Sequence, residues 1–235
     1  MQTISTNYIL FDLDGTLVNT TDAVETAWQE VLDEHNSKHE DQIETSAFLA
    51  TSHGRRTIET YQRWFPYKDT SDEAIGAYEL SIATKYGHLA KEVPGSTVAL
   101  TKLNEQSPQR WAICTSGTTD LAHGWVDNVF EGLKKPEVFV TANDVSEGKP
   151  HPEGYLKAAQ ALAEVHGKPG KSVVFEDAPM GARAGVNAGY TVIGLATTFS
   201  KEILEEAGAT YVVKDFTKVG FELKEDGIDV KLETI

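Results

Sequence analysis

A chain of 235 residues, 40% hydrophobic and 24% charged, has the composition of a globular protein with room for one sizeable core and a small insertion. Its 21 basic against 36 acidic residues, a net charge of −15, argue against a non-specific nucleic-acid binder, because neutralising a phosphate backbone takes clustered Lys and Arg. The single cysteine, Cys114, rules out an intrachain disulfide and a cysteine zinc site, and its place in Trp111-Ala112-Ile113-Cys114 marks it as a buried, inert thiol.

Met1 to Asn7 is short and polar, and the apolar run after it is broken by Asp12. Neither a signal peptide nor a membrane span fits, so a cytosolic location is expected. Tyr8-Ile9-Leu10-Phe11 predicts a buried strand, followed at once by Asp12-Leu13-Asp14-Gly15-Thr16. Side chains two apart on an extended segment share a face. Asp12 and Asp14 can therefore reach one centre just past the strand end while Gly15 turns the chain away. One carboxylate can attack as a nucleophile while the other handles protons. An ordinary Asp-Gly turn after a core strand is the structural alternative.

With Thr21 or Asp22 as N-cap, Val24, Ala27, Trp28, Val31 and Leu32 recur at helical spacing. Ile75, Tyr78, Ile82 and Tyr86 mark a second amphipathic helix, and Val93-Pro94-Gly95 stops the pattern before another helix near Ser96. Residues 22–92 read as a helical insertion forming a small cap, with 1–21 and 93–235 building an α/β core. Inside the insertion, Ser52-His53-Gly54-Arg55-Arg56-Thr57 gathers two guanidiniums, an imidazole and hydroxyls beside a glycine. Such groups suit phosphate and polyol oxygens; the alternative is a solvated loop.

Apolar runs at 111–114, 138–141, 173–175, 192–195 and 211–213 alternate with helix-like segments, the rhythm of βαβ units in a parallel sheet with helices on both faces. Phe221 and Leu223, then Asp226-Gly227, then Ile228, Val230 and Leu232 predict a hairpin at an antiparallel edge. In an open parallel sheet ligands bind beyond the carboxyl ends of the strands. There Thr115 and Ser116, with Gly117 and Thr118, can offer donors to an oxyanion or simply cap a helix. Lys149 lies on a turn stiffened by Pro150 and Pro152, a fixed positive charge or a solvated lysine. Glu176 and Asp177 end an apolar buried strand, where charges need partners. With Asp12 and Asp14 they make an oxygen-rich set of the hard type that suits Mg²⁺; helix capping is the alternative.

Taken in order, FDLDGT, the strand ending at Thr115, GKPHPEGY around Lys149 and VVFEDAPMG around Glu176 and Asp177 resemble the haloacid-dehalogenase-superfamily phosphatases with a helical cap. The likeness runs from Tyr8 to about Val213 and is strongest to the fungal 2-deoxyglucose-6-phosphate and glycerol-phosphate phosphatase group. It implies a doubly wound parallel sheet, a Rossmann-like core with the inserted α-helical cap. It implies Asp12 as a nucleophile forming an aspartyl-phosphate and Asp14 as general acid/base. Thr115, Ser116 and Lys149 would hold the phosphoryl group. Mg²⁺ would be bound by Asp12, Asp177 and the backbone carbonyl of Asp14, with Glu176 in or near that shell. A similar SHG-x-RT stretch in this group makes Arg56 the first candidate for a substrate contact and His53 the second. The activity implied is Mg²⁺-dependent hydrolysis of small sugar or polyol phosphate monoesters, by a monomer with no nucleic-acid or membrane partner.

Asp14 argues against dehalogenase chemistry, which has no alkoxide to protonate. A sugar-phosphate mutase of the β-phosphoglucomutase type is one rival, weakened because Val24 stands where those enzymes tend to carry a histidine. A non-catalytic phosphometabolite binder is the other, weakened because a pure binder gains nothing from a proton-shuttling carboxylate.

Overall fold

A computed structural model describes residues 1–106 and 110–235. The chain opens with strands β1 (Gln2–Thr6), β2 (Tyr8–Phe11) and the two-residue β3 (Val18–Asn19). Four helices come next, α1 (Thr21–Lys38), α2 (Thr45–Ser52), α3 (Thr57–Trp64) and α4 (Asp72–Tyr86), and β4 (Lys91–Glu92) ends the excursion. Alternation then sets in: α5 (Ser96–Gln106), β5 (Trp111–Cys114), α6 (Thr119–Val129), β6 (Val138–Val140), α7 (Glu153–His166), β7 (Ser172–Glu176), α8 (Pro179–Asn187), β8 (Thr191–Leu195), α9 (Lys201–Glu206) and β9 (Tyr211–Val213). The hairpin β10 (Val219–Lys224) and β11 (Gly227–Leu232) closes the chain.

Six parallel strands form the main sheet in the order β6-β5-β2-β7-β8-β9. Their runs are apolar without alternation because both faces are covered. Ile9, Phe11, Trp111, Ile113, Val173 and Phe175 face one core with α5 and α6. Tyr8, Leu10, Ala112, Cys114, Val140 and Val174 face another with α7, α8 and α9. The register aligns the strand ends: Phe11 pairs with Ile113 on β5 and with Phe175 on β7, and Cys114 with Val140 on β6. The residues just past each of these strands are thereby delivered to one edge of the sheet.

Two sequence expectations need correction. The C-terminal hairpin is present, but it is not an edge of the main sheet. It joins β1 in a separate antiparallel sheet ordered β1-β11-β10, with Ile4 opposite Val230. Phe221, Ile228, Val230 and Leu232 pack into the core shared with Phe11. The polar N-terminal segment is accordingly a strand, formed because β11 supplies its hydrogen bonds. The first helix begins at Thr21 itself, and neither Thr21 nor Asp22 caps it; Thr20 occupies the cap position without a side-chain cap bond.

The four helices between β3 and β4 hold an apolar cluster of their own, Trp28, Val31, Leu32, Phe48, Tyr61, Phe65 and Ile75. The chain leaves for them and returns side by side, because β3 and β4 pair antiparallel through Val18–Glu92 and Asn19–Lys91. Among the described residues no helix is long and apolar enough to cross a membrane.

Candidate active site

The end of β2 sets the geometry. Gly15 takes φ +81°, open to glycine at little cost, and a Cβ there would lie 2.0 Å from Asp177 Oδ2. The turn is held by Gly15 N–H donating to the Val18 carbonyl (2.7 Å) and by the Thr197 hydroxyl donating to the Gly15 carbonyl (2.6 Å). Thr16 then donates to Asp177 Oδ1 at 3.3 Å, tying the β2 turn to the end of β7.

Asp12, Lys149, Glu176 and Asp177 are all buried, at 4, 6, 0 and 2% exposure. Lys149 Nζ donates to Asp12 Oδ1 at 2.6 Å and to Glu176 Oε1 at 2.7 Å. Glu176 Oε1 also accepts the Tyr155 hydroxyl (2.8 Å), and its Oε2 accepts the backbone N–H of Asp177 and of Ala178, both at 3.1 Å. Glu176 is thus satisfied by protein donors on both oxygens. Asp12 Oδ2, in contrast, is buried without a hydrogen-bond partner. An orphaned carboxylate oxygen is a costly thing to bury unless something else meets it. One ligand atom each from Asp12, Glu176 and Asp177 lies within 4.8 Å of the others, so the acidic set fits a hard divalent cation.

The electrostatics agree. Burial, and then Glu176, push Asp12 up to about 7 despite the opposing pull of Lys149. Burial, then Asp12 and Glu176, raise Asp177 well above the usual carboxylate range. Burial alone would lower Lys149, but Asp12 and Glu176 outweigh it and hold it above its ordinary value. These carboxylates are short of positive charge.

Asp14 sits two residues on, lining the same cavity but held by other partners. Its Oδ1 accepts the Thr20 hydroxyl at 3.0 Å and its Oδ2 the Thr115 hydroxyl at 3.1 Å, while Thr115 Oγ1 accepts the Gly117 N–H at 3.0 Å. Burial raises its pKa, partly offset by the Thr20 and Thr115 bonds. Cys114, at the end of β5, is buried and its thiol is pushed up to about 12.

A cavity of about 80 Å³ joins these groups to the helices above them. Asp12, Asp14, Thr115, Ser116 and Asp177 line it from the sheet; Val24, His53, Arg55 and Glu79 line it from the helical side. Lys149 lines a smaller adjoining cleft with Thr115 and Ser116. The Ser116 hydroxyl donates across the gap to the Gly54 carbonyl at 2.9 Å, and His53 Nε2 lies 3.0 Å from Glu25 Oε1. Arg56 does not line the main cavity: its guanidinium reaches the carbonyls of Val145 and Ser146 instead.

Two cavity residues stand out that the sequence does not single out, Arg55 counting there only as one of the two guanidiniums of the 52–57 run. Arg55 offers a buried Nε without a partner, its Nη2 lying 3.2 Å from the Met180 sulfur. Glu79, 2% exposed, accepts the Thr57 hydroxyl at 2.6 Å and the Thr118 backbone N–H at 2.7 Å. Its signal was present: Glu79 falls at i+4 from Ile75 and i−3 from Ile82, inside the apolar stripe of α4.

A doubly wound sheet with paired aspartates past its first parallel strand, a lysine and further acids at the neighbouring strand ends defines a hydrolase of the phosphoryl-transfer kind. Residues 6–189 match the haloacid dehalogenase-like hydrolases, and the chain belongs to that family. Over 99% of its length it is 38% identical to 2-deoxyglucose-6-phosphate phosphatase 1 of Saccharomyces cerevisiae, covering 97% of that protein. It is 35% identical to glycerol-1-phosphate phosphohydrolase 2 of the same yeast over 96% of this chain and 90% of that one. A crystal structure of a hydrolase from Pseudomonas syringae superposes with a TM-score of 0.69 at 27% identity, covering 89% of this chain and 94% of that one.

Proposed function

We propose that this chain is a Mg²⁺-dependent phosphatase of small sugar or polyol phosphate monoesters, acting in the cytosol as a monomer, with residues 22–92 forming a cap over the site. One observation carries the reading. Asp12 keeps one oxygen on Lys149 and the other without a protein partner, while Asp14 stands two residues on, held by two hydroxyls. The substrates named for the yeast relatives, 2-deoxyglucose 6-phosphate and glycerol 1-phosphate, give the substrate class.

In this mechanism an Asp12 oxygen attacks phosphorus. The bond from phosphorus to the alcohol oxygen breaks with its electron pair on that oxygen, and Asp14 supplies the proton. Burial lets Asp14 keep that proton to higher pH than an ordinary aspartate. Asp14 then takes a proton from the water that attacks the aspartyl-phosphate. The bond to Asp12 breaks, phosphate leaves, and both carboxyls return to their starting forms. Lys149, Thr115 and Ser116 hold the phosphoryl oxygens, and Glu176 holds Lys149. A divalent cation, when bound by Asp12, Asp177 and the Asp14 backbone carbonyl, supplies charge neutralisation where an anionic nucleophile meets an anionic phosphate.

His53 and Arg55 meet the organic part of the substrate from the helical side, Arg55 taking the place that the family resemblance implied for Arg56. Val24, which lines the cavity, has no proton to exchange, and this favours the hydrolase over the mutase.

The test is phosphate release across a panel of monoesters with and without Mg²⁺. Asp12→Asn is expected to abolish turnover, and Asp14→Asn to slow it roughly 10²- to 10⁴-fold. A near-normal rate in Asp12→Asn would overturn the covalent route. Isomerisation of glucose 1-phosphate without free phosphate, given a bisphosphate primer, would establish the mutase instead.

A further inference from the structure

We propose that Arg56 and Glu59 are positioning residues: from the helical side they clamp the loop that carries Lys149, so that the lysine is in register only when the helices are seated. The inference rests on the reading of Lys149 as a phosphoryl-holding group.

Arg56 precedes α3 in extended conformation, which throws its side chain across to the sheet side. Nη1 donates to the Val145 carbonyl and Nη2 to the Ser146 carbonyl, both at 3.1 Å. Nε donates to Glu59 Oε1 at 2.8 Å, and the same oxygen accepts the Gly148 N–H at 3.0 Å. Two side chains one helical turn apart thereby hold three backbone groups of residues 145–148. At 15 and 22% side-chain exposure the pair is far from a solvated surface bridge.

The opposite side of the same loop is held from the core. The N–H groups of Ser146 and Glu147 both donate to Glu153 Oε2, at 3.0 Å each. Gly148 is what lets the clamp close: a Cβ there would lie 2.5 Å from Glu59 Oε1 and 2.7 Å from Arg56 Nε. The next residue is Lys149, with its Nζ 2.6 Å from Asp12. A planar fork that satisfies two carbonyls while anchored by its own carboxylate fixes a backbone more firmly than a flexible ammonium could. When the helices lift, all three bonds to the loop break, leaving it the Glu153 bonds and the turn bond from the His151 N–H to the Gly148 carbonyl.

The test compares Arg56→Ala, Arg56→Lys, Glu59→Gln and the double variant Arg56→Ala/Glu59→Gln. Each is assayed with Mg²⁺ on a small sugar phosphate and on p-nitrophenyl phosphate, with Lys149→Ala as reference. Each single variant is expected to lower kcat roughly 10- to 100-fold and equally on both substrates, as displaced catalytic groups do. KM should change less than about twofold, Arg56→Lys should not rescue, and the double variant should be little worse than either single one. A rise in KM confined to the sugar phosphate would make Arg56 a substrate contact and overturn the clamp. Unchanged kcat would overturn it too, as would independent, multiplying losses that follow a falling Tm. If Lys149→Ala turns over normally, the reading of Lys149 fails; if it is dead while Arg56→Ala keeps full kcat, only the clamp fails.

Discussion

Lys149 Nζ lies 2.6 Å from Asp12 and 2.7 Å from Glu176, so one buried ammonium serves two buried carboxylates. Removing it leaves both buried acids without that counter-charge. Lys149→Met is expected to destabilise the fold by about 3–5 kcal/mol, the cost of breaking a buried pair from one side. Urea unfolding measures this; a loss below about 1 kcal/mol would show that the acids find other partners.

The same cluster makes stability depend on pH in a definite direction. Asp12 is raised from 3.8 to about 7 in the folded chain, and Asp177 and Asp14 are raised too. Between those limits the folded state binds more protons than the unfolded one, so this contribution is fully present below about pH 4 and is lost as pH rises to about 7. In EDTA, the Tm of Asp12→Asn should therefore gain on that of the parent as pH climbs from about 4.5 to about 7.5. Saturating Mg²⁺ should erase the difference. A constant gap across the range in EDTA would refute the assignment.

Gly15 cannot be replaced quietly. A side chain at its positive φ costs about 1–2 kcal/mol, and the added Cβ meets Asp177 Oδ2 at 2.0 Å. Gly15→Ala should lose stability by that order and weaken divalent-cation affinity roughly 10- to 100-fold, as displaced supports of metal ligands do. Titration calorimetry with Mg²⁺ decides it, an unchanged affinity being the contrary result.

Arg55 lines the main cavity and Arg56 does not, so the proposed preference for sugar phosphates is tested first at Arg55. Arg55→Ala should raise KM for a sugar or polyol phosphate by about tenfold, the worth of one charged hydrogen bond. It should leave KM for p-nitrophenyl phosphate nearly unchanged. Equal effects on the two substrates would remove Arg55 from that role.

The main sheet was legible because strands covered on both faces must be apolar throughout, as Val173, Val174 and Phe175 are. The carboxylates Asp12, Asp14, Glu176 and Asp177 were legible because each comes just after such a run, where nothing in core packing calls for a charge. What escaped depended on partners remote in sequence. β1 is a strand only because Gln2 to Thr6 pair with residues 228–232. The cap of α1, expected at Thr21 or Asp22, falls at Thr20, whose hydroxyl goes to Asp14 and not to the helix. Which of two adjacent arginines faces the cavity turns on a few backbone dihedrals at the start of α3, and residue type carries no record of them.

The bond from the Thr118 amide to Glu79 bears on how the molecule breathes. There, and at Ser116 to Gly54, hydrogen bonds stitch the seam between helices and sheet, beside a core in which Ile82 of α4 joins Leu121 and Trp125 of α6. Each stitch, once undone, is remade with water, so the net cost of parting it is only about 0.5–1.5 kcal/mol for a neutral pair and somewhat more for a charged one. If the helices swing as proposed, these polar stitches part and re-form at little cost, while the apolar contact of α4 with α6 stays as the hinge side of the seam. That suits an enzyme that must admit a metabolite and discharge phosphate on every cycle.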